Sequence, residues 1–105
     1  MKIFLDLATP DSPVHKAITQ VFTTIGELEF VKTVQEADGI ITDESIKAWE
    51  YFNSTSKRIA QVLWWKQKAA TIPESDRFKV FDALPSVNRG SLPSLIEAIA
   101  FLKDQ

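Results

Sequence analysis

Apolar residues run along this chain in two rhythms. Lys2-Ile3-Phe4-Leu5-Asp6-Leu7 is a short, nearly continuous apolar run, the pattern of a strand buried on both faces of a parallel sheet. After Thr9-Pro10-Asp11-Ser12-Pro13 the spacing changes, and Val14, Ala17, Ile18, Val21, Phe22 and Ile25 recur at steps of three and four, which predicts a helix. Ser12 is placed to cap it, Pro13 fits a first turn where the missing N–H costs nothing, and Gly26 suits a left-handed end.

Leu28, Phe30 and Val34 then alternate with Glu29 and Lys32, as in a half-exposed edge strand. Gln35 to Asp38 leaves room for one helical turn at most. Gly39-Ile40-Ile41-Thr42 predicts a second buried strand, and Ser45 to Asn53 a helix with Ile46, Trp49 and Phe52 on one side. Ile59 to Trp64 reads as a third interior strand, and Pro73 to Arg77 as a short helix or a turn. Phe78 to Leu84, interrupted by Lys79 and Asp82, predicts the other edge strand. Ser91 or Ser94 caps a final helix with the stripe Leu92, Leu95, Ile96, Ile99 and Leu102. Strands alternating with helices imply a parallel sheet with right-handed crossovers. Charges fall in the second and fifth strands and spare most of the others. The expected fold is therefore a single flavodoxin-like domain over 1–105: a three-layer α/β sandwich, strand order 2-1-3-4-5, with the second helix very short or missing.

Composition narrows the class. With 105 residues, 45% apolar, a net charge of −2 and no cysteine, the chain suits one ordinary domain without disulfides or thiolate metal sites. No apolar run approaches the roughly 20 residues that span a bilayer, and no signal peptide opens the chain, so a cytoplasmic location is expected. A pI near 5.3 argues against a dedicated nucleic-acid binder. Residues 1–50 nevertheless carry nine acids against four bases, and residues 51–105 eight bases against five acids.

In this architecture ligands meet the carboxyl ends of the strands where the strand order reverses, here between strands one and three. Asp6 ends strand one, and Asp43 with Glu44 ends strand three. If Asp6 and Asp43 converge they suit Mg2+, a hard cation that takes oxygen ligands. The plainer reading makes Asp43 and Glu44 caps of the following helix, where an acid is favoured by the helix dipole. His15 is the only histidine, so it builds no His cluster and reads as a surface residue. Thr9 to Ser12 leads into a helix N-terminus and reads as a cap or as an anion cradle; it has no glycine and matches neither a Walker A loop nor a dinucleotide fingerprint. Trp64 and Trp65, adjacent on a strand, point to opposite faces. With Trp49, Tyr51 and Phe52 they pack the core or offer a partner surface. Lys57, Arg58, Lys66, Lys68, Arg77 and Lys79 surround them in sequence and would suit an acidic partner or single-stranded nucleic acid, neither implied uniquely.

Asp6 after an apolar strand, Ala37-Asp38-Gly39-Ile40-Ile41-Thr42-Asp43, Phe81-Asp82-Ala83-Leu84-Pro85 and Leu92-Pro93-Ser94-Leu95-Ile96 together resemble the receiver domain of two-component response regulators. The resemblance makes Asp6 one member of the acidic pair after strand one, and Asp43 the phosphoacceptor. Departures accompany it. Leu7 stands in the place of the second acid, Leu84 in that of the Lys before Pro85, and Leu63-Trp64-Trp65 in that of the strand-four Ser or Thr. The Met-Pro and Gly that usually follow the phosphoacceptor are missing after Asp43. Without those groups a phosphoryl Asp lacks most of its charge stabilisation. The expectation is thus a non-catalytic pseudo-receiver that binds another protein through strands four and five and the last helix, using Trp64, Trp65, Lys66, Lys68 and Lys79. Alternatives are an atypical receiver phosphorylated on Asp43 with Mg2+, or a small Rossmann-like nucleotide- or phosphate-handling domain. The chain ends soon after the last helix, which leaves no output domain attached; a piece of a longer protein would look the same.

Overall fold

The computed structural model describes residues 1–7, 16, 19–20, 28–63, 68–82 and 92–103. Within them five strands form one sheet: β1 Lys2–Asp6, β2 Glu29–Val31, β3 Gly39–Thr42, β4 Arg58–Leu63 and β5 Phe78–Asp82. Every pairing is parallel, and the order is β2-β1-β3-β4-β5. This is the α/β order read from the charge distribution. All four residues of β3 are buried, as are the middle four of β4. The outer strands instead expose Glu29, Lys79 and Asp82, charges that discourage edge-to-edge pairing.

Alternation along the strands divides the core in two. Ile3, Ile41, Ala60, Val62 and Phe81 pack with Leu95, Ala98, Ile99 and Leu102 of the helix Leu92–Lys103. Phe4, Ile40, Ile59, Phe78 and Val80 pack with Ala48, Tyr51 and Phe52 of the helix Ser45–Ser54. The Leu92–Lys103 helix comes down closely on the start of β3. A Cβ added at Gly39 would lie 3.1 Å from Leu102 Cδ2.

Both helices are turned differently from the stripes that spacing predicts. In Ser45–Ser54 the fully buried residue is Ala48, flanked by half-buried Tyr51 and Phe52, while Ile46 and Trp49 are 72% and 39% exposed. The small Ala48 lets the helix backbone approach the sheet, and two long aromatic side chains then flank the contact. In the last helix Ile96 is 47% exposed and Ala98 takes its place in the core, because Ile96 stands about 100° around the axis from Leu95.

The connections also depart from a full alternation. Residues 32–38 form a turn, Ala37 N–H donating to Val34 O at 3.1 Å, and Lys57 Nζ donates to the carbonyls of Val34 and Gln35. Between β4 and β5 the described residues 68–77 are not helical, and Pro73 to Arg77 is irregular with a bend at 76–77. Ala70 and Ile72 are buried against the sheet there. Of the helix expected over 13–25, Lys16, Thr19 and Gln20 are helical and exposed. Its apolar stripe, His15 and Thr9 to Ser12 lie outside the described residues.

Candidate functional site

Parallel pairing of β1 with β3 sets Asp6 opposite Thr42, so the carboxyl ends of these strands bring Asp6 beside Thr42-Asp43. The helix that follows β3 then folds back over this end. Tyr51, on its buried arc, packs against Phe4 with ring centroids 5.8 Å apart, and its hydroxyl donates a short hydrogen bond to Asp6 Oδ2. Burial, and then the hydrogen bond and negative charge of Asp6, push the Tyr51 phenol well above its ordinary value of 10.0. The phenol is a fixed donor at neutral pH, and one carboxylate oxygen of Asp6 is engaged by it.

Asp43 is 1% exposed. Thr42, also buried, accepts from the Glu44 backbone N–H through its hydroxyl at 3.3 Å, a local turn of the kind short hydroxylated residues form. Glu44 is the N-cap residue but makes no side-chain capping bond, so the capping role expected of it is not found. Its carbonyl instead accepts from Ala48 N–H at 3.0 Å. Among the described residues no three acidic or histidine side chains are grouped to hold a metal. Asp6, Asp43 and Glu44 share one end of the sheet without closing into such a group. Leu7, standing where a second acid is wanted, is only 9% exposed and belongs to the apolar core. This donor set does not fit the Mg2+ that the receiver resemblance implies: one carboxylate is tied to a phenol, one is buried, and one position is aliphatic.

The candidate partner residues fall in different places. Trp64, Trp65 and Lys66 lie outside the described residues. Lys68 is exposed just beyond β4, and its carbonyl accepts from Gln61 Nε2 at 2.9 Å while Gln61 Oε1 accepts from Ala70 N–H at 2.8 Å. That segment covers the face of the sheet carrying Ile59 and Phe78. Lys79 projects on the other face, its Nζ 5.6 Å from the Phe81 ring centroid. It lines an open cavity of about 490 Å³ with Phe81, Glu97, Ala100 and Phe101. Lys68 and Lys79 therefore flank the β4–β5 half of the sheet from opposite sides.

The other basic residues near the aromatics are structural. Arg77 donates to the carbonyls of Phe52 and Thr55 at the end of the Ser45–Ser54 helix, with its guanidinium 4.4 Å from the Phe52 ring centroid. Arg58 does the same for the last helix, donating to Phe101 O at 2.7 Å. Both helices end at the amino ends of the strands, where positive groups complement the partial negative charge of their carbonyls. Gln61 carried a sequence signal that the strand reading passed over. A polar residue inside Ile59-Ala60-Gln61-Val62 must be buried, and buried amides are hydrogen-bonded. The Tyr51–Asp6 pair, 45 residues apart in the chain, carried none.

Among the described residues no helix is long and apolar enough to cross a membrane. Compared with protein-family models, with curated proteins and with solved structures, the chain gives no match.

Proposed function

We propose that this chain is a pseudo-receiver, a three-layer flavodoxin-like domain that has given up phosphotransfer and acts in the cytoplasm as a protein–protein interaction module of signal transduction. The observation that carries the reading is the carboxyl end of β1 and β3. Asp6, the one acid left of the receiver pair, is held by the Tyr51 hydroxyl, and Asp43 is buried. In this reading a phosphoryl group on Asp43 lacks most of its charge stabilisation, because Leu84 stands in the place of the receiver Lys, Leu63-Trp64-Trp65 in that of the strand-four hydroxyl and Leu7 in that of the second acid. The partner face in this reading is the β4–β5 half with the last helix. Lys79 stands there at the rim of an aromatic floor formed by Phe81 and Phe101, whose centroids are 5.9 Å apart. Trp64, Trp65 and Lys66 belong to the same half of the chain and add basic, aromatic character suited to an acidic protein surface, while Lys68 stands on the opposite side of the sheet from Lys79.

The test is an amide NMR titration with Mg2+ and then beryllofluoride, a mimic of the phosphoryl group. A spectrum unchanged by either is expected. Saturable shifts centred on Asp6, Asp43 and Glu44, abolished in Asp43→Ala, would overturn the reading and restore a phosphorylation switch. Saturable shifts with a nucleotide in their place would favour the Rossmann-like alternative.

A further inference from the structure

The Ser45–Ser54 helix turns two large apolar side chains away from the core. Ile46 is 72% exposed and Trp49 39%, on a helix whose Ala48 is wholly buried. Successive residues rotate by about 100°, so Ile46, Trp49, Glu50 and Asn53 form one outward arc opposite Ala48, Tyr51 and Phe52. Ile46 lies near the centre of this arc and Trp49 on one flank. On the other flank Lys47 Nζ and Glu50 Oε2 form an exposed ion pair at 3.5 Å. Such a pair adds little to a helix and is readily exchanged for another.

This arc is complementary to itself. Across a two-fold axis residue i meets residue j while j meets i. Two such helices, laid antiparallel about an axis near position 48, bring Lys47 of each copy opposite Glu50 of the other. The opposite flank then sets the two Trp49 rings together, and the two Ile46 side chains close the middle. Within the arc itself no like charges face each other in this arrangement. We propose that the outer face of the Ser45–Ser54 helix is a self-association surface whose occupant is a second copy of this chain. The apolar area that Ile46 and Trp49 leave exposed is on the order of 200 Å², against about 800 Å² per partner in a stable complex. The association is therefore weak and reversible and is populated only at high protein concentration. This surface is separate from the β4–β5 face assigned above to a different protein, so either assignment can fail without the other.

Sedimentation equilibrium of the full chain, from micromolar to millimolar protein, tests it. The apparent mass should rise from monomer toward dimer. Ile46→Lys, at an exposed position and with its fold checked by circular dichroism, should remain monomeric. Lys47→Glu and Glu50→Lys, each alone, set like charges opposite one another and should weaken association by about tenfold. An equimolar mixture of those two variants restores both ion pairs across the two-fold and should associate as the unmodified chain does. An unmodified chain that stays monomeric at millimolar concentration overturns the proposal. So does association that survives Ile46→Lys, or a mixture that associates no better than its components.

Discussion

Gln61 is fully buried on β4, and its amide holds the backbone of Lys68 and Ala70 from both sides. Replacing it with Leu keeps a similar volume and removes both bonds. The Ala70 N–H is buried and would be left without an acceptor, while the Lys68 carbonyl, only partly buried, regains some hydration. An unsatisfied buried group costs about 1–3 kcal/mol, so Gln61→Leu should destabilise the fold by about 2–4 kcal/mol. Against the roughly 5–15 kcal/mol that holds such a domain together, that is a large loss. Urea denaturation followed by fluorescence should show a midpoint lower by about 1–2 M. The Ala70 amide should exchange with solvent much faster than in the unmodified protein. Gln61→Glu adds a sign test. A protonated carboxyl can donate to Lys68 O and accept from Ala70 N–H, whereas the carboxylate can only accept. Burial raises the folded-state pKa of this carboxyl, so its contribution is whole below the unfolded value of about 4.3 and is lost as the pH rises. That variant should match the unmodified protein in acid and fall behind it at neutral pH. A loss below about 0.5 kcal/mol in Gln61→Leu, with Ala70 exchange unaltered, would refute the clamp.

Three further outcomes are expected. Because the folded state holds the Tyr51 proton more tightly than the unfolded chain, the contribution of the phenol is whole below its ordinary 10.0 and fades as the pH rises beyond it. Tyr51→Phe should lower stability by about 1–2 kcal/mol at neutral pH and flatten the alkaline decline, as read from urea midpoints across that range. Arg77→Ala removes the donors to Phe52 and Thr55 and the stack on the Phe52 ring. It should cost about 2–3 kcal/mol in thermal unfolding, and Arg77→Lys should recover less than half, since an ammonium lacks the planar fork. Gly39→Ala presses a methyl against Leu102 and should cost about 1–2 kcal/mol by overpacking. In a Leu102→Ala background the same change should cost less, a coupling that a double-mutant cycle measures.

Asp6 and Asp43 show how far residue type alone carries a site. Their positions at the ends of β1 and β3 followed from the strand pattern, and the structure sets both strand ends side by side. What each carboxyl does there depends on its surroundings. Tyr51 arrives from a helix to occupy Asp6, and burial withdraws Asp43 from solvent. The basic residues divide in the same way. As a set they read as a surface for an acidic partner, yet among the described ones Lys57, Arg58 and Arg77 spend donors on backbone carbonyls while Lys68 and Lys79 stand exposed.

The five strands, their parallel order and the identity of the edges were legible in the amino-acid sequence, because each rests on a local pattern. Interior strands are nearly continuous apolar runs without a charge at their centre, and edge strands are interrupted by charge. The short turn between β2 and β3 was legible for an equally local reason, since four residues leave no room for a helix. Which arc of the Ser45–Ser54 helix meets the sheet was decided only in the folded chain. Ile46 with Trp49 and Ala48 with Tyr51 both have helical spacing, and the choice turned on how closely the backbone packs, which favoured the smaller Ala48. The Arg58 and Arg77 carbonyl caps and the Tyr51–Asp6 bond likewise join groups 22 to 45 residues apart in the chain. The crossovers of the sheet bring them within reach, and no residue in the chain encodes such a meeting by itself.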